Sequence, residues 1–138
     1  NNTGLANQLE SSVPVISWIQ AGDWSEAIDI DQVGSSAEWI TKINGGENVY
    51  ALRVQGDSMT SATGVSFPEG YIIHVDPDQS ASNGDCVIAK IAGHDQVTFK
   101  QLKLSDGNPY LKPLNERHPN IFDEFKIIGK VIGASIKL

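Results

Sequence analysis

The sequence predicts a mainly β protein with at most short helical turns. Short runs rich in β-branched and aromatic residues recur along the chain, and clusters of Gly, Pro, Asn and Asp separate them. The runs include NVYALRV, GYIIHV, DCVIAKI, QVTFKQLKL and FKIIGKVIGASIKL. With 138 residues, the chain is long enough for one domain with its own core.

Two segments near the start of the chain are less regular. VPVISWI, at 13–19, is β-branched and aromatic, so we expect a strand, and Pro14 suits an edge position in a sheet. SSAEWITKI, at 35–43, favours a helical turn, because Ser35 or Ser36 could cap it and an acidic residue follows early.

Alternation in the run NVYALRV indicates a strand with an apolar face. Tyr50, Leu52 and Val54 fall on one side, while Val49 and Ala51 fall with Arg53 on the other. The turn residues Asp76-Pro77-Asp78 then close the next run, GYIIHV.

The net negative charge of the chain argues against direct binding to nucleic acid. The formal net charge is −7 and the isoelectric point is near 4.7, whereas phosphate binding needs a basic surface. Residues 1–12 are small and polar without periodicity, as in a linker remnant, and 13–138 form the expected domain. Because the chain also begins with Asn rather than Met, we expect a fragment or processed form with a domain missing upstream.

Cysteine usage and hydropathy favour the cytosol. Cys86 is the only cysteine, so an internal disulfide is excluded, and its apolar run suggests a small core residue. No run approaches the roughly 20 apolar residues needed to span a bilayer, and no secretory leader is evident. No membrane partner is therefore expected.

Ser58, in the stretch QGDSM, raises the question of whether it closes a turn or acts as a nucleophile. A serine hydroxyl needs a neighbouring base to take its proton. His94 and His118 sit in evident turns and His74 lies within a strand, so none is a persuasive base. No histidine or cysteine pair has the spacing of zinc ligands, and we expect no metal and no other cofactor.

Lys100 is the alternative base. Alternation in QVTFKQLKL places it on one face with Thr98, Leu102 and Leu104, whereas Lys103 points to the other face. An apolar setting lowers the pKa of a lysine and keeps the amine neutral. Taken alone, Lys100 could equally be a solvated strand lysine and Ser58 an ordinary turn residue.

The motifs taken together resemble a known family. QGDSM, SFPEGYIIHVDP, GDCVIAK, VTFKQL, LKPLN and IIGKVIGA are similar, in this order, to the carboxy-terminal domains of the LexA and bacteriophage CI repressors, peptidase family S24. VISWIQAG and SMTSATGVSFPEG resemble the lambdoid phage repressor branch more than LexA itself. The resemblance covers about 13–138, almost the whole chain.

The resemblance implies a site and a fold. Ser58 would be the nucleophile and Lys100 the general base, with the backbone N–H groups of Asp57 and Ser58 as oxyanion donors. Ala21-Gly22 would be the dipeptide at which the chain cuts itself. The implied fold is a LexA/signal-peptidase-like β domain with paired sheets.

The resemblance also implies partners. The domain would form homodimers, and assembly into higher oligomers stays open. The RecA filament formed in the SOS response would induce cleavage. Operator DNA would be bound by the missing amino-terminal domain. Two alternatives stay open: a non-cleaving dimerisation module of a repressor released by an antirepressor, and a UmuD-like polymerase accessory protein. A signal-peptidase-like protease acting on other chains uses the same Ser/Lys chemistry, but the sequence shows no membrane anchor.

Overall fold

The computed structural model describes residues 12–23 and 38–136. One short helix and eight strands make up the described part of the chain. In chain order they are β1 (Ser12–Val15), α1 (Trp18–Asp23), β2 (Glu38–Thr41), β3 (Tyr50–Arg53), β4 (Ile72–Asp76), β5 (Cys86–Ile91), β6 (Thr98–Ser105), β7 (Asn108–Lys112) and β8 (Phe125–Ser135). The mainly β class predicted from the sequence is confirmed.

The strands form a single sheet in the order β2-β1-β3-β4-β8-β5-β6-β7. The paired sheets that the resemblance implied are therefore joined by hydrogen bonds into one. The 11-residue strand β8 makes the join, because its first half pairs with β5 and its second half with β4. Register shifts at His74/Val75 and Ile88/Ala89 mark irregularities where β8 passes its two neighbours.

Two predicted elements near the start of the chain are wrong in part. The strand expected at 13–19 ends at Val15, and its second half enters α1 instead. The segment expected as a helical turn contains the strand β2, which pairs antiparallel with β1. The proposed capping residues Ser35 and Ser36, like the predicted linker up to residue 11, lie outside the described residues.

The edge position expected for Pro14 is also wrong, because β1 lies between β2 and β3 and the sheet edges are β2 and β7. Pro14 lies opposite Trp39 of β2. Towards β3, the pairing of β1 is limited to Val15 opposite Ala51, so the missing N–H of Pro14 removes no bond from that short ladder.

Apolar side chains pack on both faces of the sheet, as β3 shows. Tyr50, Leu52 and Val54 join one buried cluster, and Val49 and Ala51 join another. This division follows the alternation predicted from the sequence. The larger cluster also contains Ala21 of α1 and Met59, so the core lies directly beneath the site described below.

Strand β4 carries two buried polar residues between apolar neighbours. His74 is a strand-face residue, as expected, but it is fully buried, and its Nε2 lies 3.2 Å from Ser135 Oγ. Burial lowers the pKa of His74, so its ring is held in the neutral form. The carboxylate of Asp76 accepts hydrogen bonds from the backbone of Gly46 and Asp78 and from Gln79. The Asp76 carboxylate is thus satisfied inside the fold, whereas Nδ1 of His74 has no hydrogen-bond partner among the described residues.

Among the described ranges, no helix is long and apolar enough to cross a bilayer.

Candidate active site

Ser58 lies in a tight turn after β3, which we call the serine turn (residues 56–59). Gly56 adopts a φ of 73°, a conformation that side chains disfavour, and this lets the chain reverse direction directly after the strand. The Thr60 N–H then donates to the Asp57 carbonyl at 3.0 Å and closes the turn. The sequence Gly-Asp-Ser-Met is therefore first of all a turn that presents one hydroxyl.

Met59 anchors the serine turn to the core. Its side chain is 1% exposed and packs in the large cluster, and its carbonyl accepts from the Phe67 N–H at 2.8 Å. Asp57, on the other side of the serine, is exposed. Ser58 thus sits where the chain passes from solvent into the interior, which fixes the position of its side chain.

Lys100, on β6, reaches the serine turn from the other side of the site. Its Nζ lies 3.2 Å from Ser58 Oγ and 2.7 Å from Thr98 Oγ1. Thr98 and Lys100 share one face of the strand, as the alternation predicted. The structure therefore brings together the two residues that sequence reasoning paired across 42 positions.

The surroundings of Lys100 favour the neutral amine. Burial lowers the pKa of its side chain, because desolvation penalises the charged form. In the described parts of the chain, no carboxylate forms an ion pair with its Nζ that would counteract this. A neutral amine has a lone pair, so it can accept the proton of a hydroxyl within hydrogen-bond distance.

A cleft of about 170 Å³ opens over the two side chains. Its lining comes from α1, the end of β3 with the serine turn, and the start of β6: Trp18, Val54, Gln55, Ser58, Met59, Gln96, Val97, Thr98, Phe99 and Lys100. Since one water occupies roughly 30 Å³ of liquid, the cleft has room for a stretch of backbone and a small side chain.

The backbone N–H groups of Asp57 and Ser58 have no acceptor among the described residues. Both belong to the serine turn, where the chain is exposed or half-buried. Free N–H groups next to a hydroxyl are the donors that stabilise negative charge developing on a carbonyl oxygen. The arrangement can therefore hold an oxyanion beside Ser58.

The Ala21-Gly22 bond lies within α1, and of the described residues in this helix Trp18, rather than Ala21 or Gly22, lines the cleft. Ala21 is fully buried. A side chain at Gly22 would approach the Asp95 carbonyl oxygen to 3.2 Å, so the position is crowded. The structure thus brings Ser58 and Lys100 together but leaves the Ala21-Gly22 bond in a separate, helical position.

A capping box explains why this segment is helical. The Gln20 N–H donates to Ser17 Oγ, and the Ser17 N–H donates to Gln20 Oε1, both at 3.0 Å. This reciprocal pair is readable in the sequence as Ser-x-x-Gln, a signal that the strand prediction for 13–19 overlooked. The Trp18 indole also donates to the Arg53 carbonyl at 3.1 Å, which ties the helix to the end of β3.

Sequence reasoning missed the residues that contact the serine turn from the loop after β7. Asn115 donates from its backbone to the Ser58 carbonyl and from its side chain to the Asp57 carbonyl, both at 3.0 Å. His118 Nε2 lies 2.7 Å from the Asp57 carboxylate. All of these contacts join residues far apart in the sequence, the two side-chain contacts spanning 58 and 61 positions, so no local sequence pattern predicts them.

The remaining candidates for chemistry lie elsewhere. His94 is exposed in a loop, and the described residues hold no group of His, Cys, Asp and Glu side chains arranged for a metal ion. Cys86 is partly buried against the core, and burial, with the nearby Asp85 carboxylate, raises the pKa of its thiol to about 11. The thiol therefore stays protonated and unreactive near neutral pH.

Comparison with known proteins identifies proteins that are similar in sequence to this chain. The chain is 43% identical over 133 residues to Repressor protein C2 of Salmonella phage P22, covering 94% of this chain and 62% of that protein. It is 39% identical over 123 residues to an HTH-type transcriptional regulator for conjugative element SXT of Vibrio cholerae, covering 87% of this chain and 57% of the relative.

A more distant relative is a LexA repressor of Thermotoga petrophila, 27% identical over 139 residues, covering 97% of this chain and 66% of the relative. The chain thus spans about three fifths of the length of these curated relatives. The model of the family described as Peptidase S24-like matches residues 14–132, which include the serine turn, Lys100 and the Ala21-Gly22 bond. The chain therefore belongs to the Peptidase S24-like family.

Proposed function

We propose that the chain is the self-cleaving and oligomerisation part of a phage-type transcriptional repressor, in which Ser58 and Lys100 hydrolyse the chain's own Ala21-Gly22 bond. The observation that carries the proposal is the 3.2 Å contact between Lys100 Nζ and Ser58 Oγ, made by a desolvated lysine without an ion-pair partner among the described residues. A structural lysine in a strand has no need of that contact, whereas a base does.

The chemistry follows from the positions of these atoms. Neutral Lys100 accepts the Ser58 proton while Oγ attacks the Ala21 carbonyl carbon, and the N–H groups of Asp57 and Ser58 stabilise the resulting oxyanion. When the carbon–nitrogen bond breaks, Lys100 returns the proton to the leaving amine of Gly22. Water then hydrolyses the ester on Ser58 with Lys100 as base. The hydroxyl of Thr98, 2.7 Å from Nζ, orients the amine throughout.

Cleavage in this scheme requires α1 to unwind. A helix of six residues is unstable on its own, so it depends on the Ser17–Gln20 capping box, the burial of Ala21 and the bond from Trp18 to Arg53. Because substrate and catalyst share one chain, a docked segment would react very fast. The helical position of the Ala21-Gly22 bond therefore serves as the restraint that keeps the chain intact.

An inducer releases this restraint by binding the cleavable conformation more tightly than the helical one. In the proposed function this inducer is the RecA filament of the SOS response, acting in the cytoplasm of a bacterial host. The support is family membership, together with the repressor and LexA names of the relatives.

Cleavage at Ala21-Gly22 would separate an upstream DNA-binding domain from residues 22–138. We propose that this part of the chain pairs two subunits while the upstream domain contacts operator DNA. Two linked half-site binders exceed either one by about 10²- to 10⁴-fold in avidity, so separation releases the operator without altering a base contact. The net charge of −7 fits a part that binds protein rather than nucleic acid.

One observation favours a second candidate function. Ala21 is buried in α1, and neither it nor Gly22 lines the cleft in the described structure. If the helix never unwinds, the chain is a non-cleaving dimerisation module of a repressor that an antirepressor releases. Cleavage itself distinguishes these candidates.

The proposed function predicts self-cleavage of the purified chain without any added protease. Incubation in alkaline buffer increases the neutral fraction of Lys100, so the chain should split into two fragments, of which the larger begins at Gly22. Intact-mass spectrometry identifies both products to the residue. An uncut chain after prolonged incubation, or a cut at another bond, would contradict the proposal.

A further inference from the structure

The segment 115–118, which we call the brace, follows β7 in the chain and contacts the serine turn. Asn115 is its main contact: its N–H donates to the Ser58 carbonyl and its Nδ2 donates to the Asp57 carbonyl, both at 3.0 Å. One residue therefore holds the two consecutive carbonyls of the serine turn that flank the Ser58 Cα.

Holding these carbonyls also sets the direction of an N–H group. The carbonyl of Asp57 and the N–H of Ser58 belong to the same planar trans peptide and point in opposite directions. A hydrogen bond to the Asp57 oxygen therefore fixes where the Ser58 N–H points, and that N–H is one of the two proposed oxyanion donors. The bond to the Ser58 carbonyl restrains the serine from its other side, which limits the movement of Oγ.

The brace is rigid enough to do this. Asn115 Oδ1 accepts the Arg117 N–H at 3.0 Å, and the Asn115 carbonyl accepts the His118 N–H at the same distance. The side chain of Asn115 is thus bonded at both its oxygen and its nitrogen, so its orientation is fixed.

His118 adds an electrostatic contact. Its Nε2 lies 2.7 Å from Asp57 Oδ1, next to the place where the oxyanion would form. An unpaired carboxylate there repels developing negative charge, and a donor on that carboxylate reduces the repulsion. The side chains are 41% and 66% exposed, so solvent screens the pair and its effect is modest.

We propose that Asn115 and His118 are positioning residues for self-cleavage, which hold the Ser58 N–H, the Ser58 hydroxyl and the Asp57 carboxylate in their reactive arrangement. The proposal rests on the proposed function. Neither residue touches the reacting atoms; each acts through the serine turn.

Asn115→Asp tests the side-chain hydrogen bond from Asn115 to the Asp57 carbonyl. It removes the Nδ2 donor of that bond and keeps an oxygen that accepts the Arg117 N–H. Complete loss of an oxyanion donor costs about 10²- to 10³-fold, so misdirecting one should slow self-cleavage by at least about tenfold. Asn83→Asp is the matched control: it adds the same charge, and Asn83 uses only its oxygen, as an acceptor for Leu104. Its rate should equal that of the wild type.

A second measurement reports on the serine turn without cleavage. In the Ser58→Ala chain, adding Asn115→Asp should shift the NMR signals of the turn and speed hydrogen exchange at the Thr60 amide, which donates to the Asp57 carbonyl. The Ile88 amide, within the paired strand β5, should exchange at an unchanged rate. General destabilisation would accelerate both amides.

His118 is tested by substitution and rescue. His118→Ala should slow cleavage by roughly two- to fivefold, a modest effect because the lost contact with Asp57 is solvent-exposed. His118→Gln retains a donor for Asp57 and should restore most of the rate. An equal loss in both variants would overturn the role of His118.

Unchanged cleavage in Asn115→Asp would overturn the role of Asn115, as would equal slowing in Asn83→Asp. Failure of the wild type to cleave would instead refute the proposed function, and exchange at Thr60 would then still decide whether the brace holds the serine turn.

Discussion

Ser58→Ala is expected to abolish self-cleavage, and Lys100→Met to reduce it by about 10²- to 10⁴-fold, the usual contribution of a general base. The alanine variant lacks the attacking oxygen. The methionine variant fills a similar volume and leaves the serine without a proton acceptor at 3.2 Å. The measurement is the first-order rate of appearance of the fragment that begins at Gly22.

Lys103→Met is the matched control for the lysine. It lies on the same strand, opposite Tyr110 of β7, and alternation directs it away from the face that carries Lys100. Its cleavage rate should equal that of the wild type. If Lys100→Met still cleaved at the wild-type rate, Lys100 would not be the base.

The rate of self-cleavage is expected to rise with pH by about tenfold per unit while Lys100 is mostly protonated, and then to level off. Only the neutral amine accepts a proton, and its fraction grows with pH. Burial lowers the pKa of Lys100 below the ordinary value of 10.5, so the plateau should begin below that pH. The measurement is the rate constant from about pH 6 to about pH 11, a range that includes the ordinary lysine pKa.

The pH at which this profile levels off separates lysine from the histidines of the chain. With a histidine base, the rate would level off above the histidine pKa, which is about 6.5 in an unperturbed side chain. Thermal unfolding recorded at each pH is the control for loss of the fold. A rate that falls as the pH rises while the fold persists would contradict a lysine base.

Much of the site could be predicted from the sequence because it depends on local patterns. Alternation in β6 placed Thr98 and Lys100 on one face, and the motif around Ser58 marked a turn at the end of a strand. The strands from β3 onward were likewise readable as apolar runs between turn residues. The hairpin from β6 to β7, for example, turns at Asp106 and Gly107, both with positive φ.

The features that sequence reasoning missed depend on distant partners. β2 forms a strand because β1 offers it a partner, Ser12 opposite Thr41, and short apolar segments take the structure that their neighbours impose. The bonds from Asn115 and His118 to the serine turn join residues far apart in the chain. Only α1 had a local signal, the capping box of Ser17 and Gln20.

The most direct test of the central claim is an NMR titration of the side-chain resonances of Lys100 in the uncleavable Ser58→Ala chain. A neutral amine in the cleft predicts that Lys100 loses its proton below the ordinary value of 10.5. Titration of Lys100 at or above that value would contradict the claim.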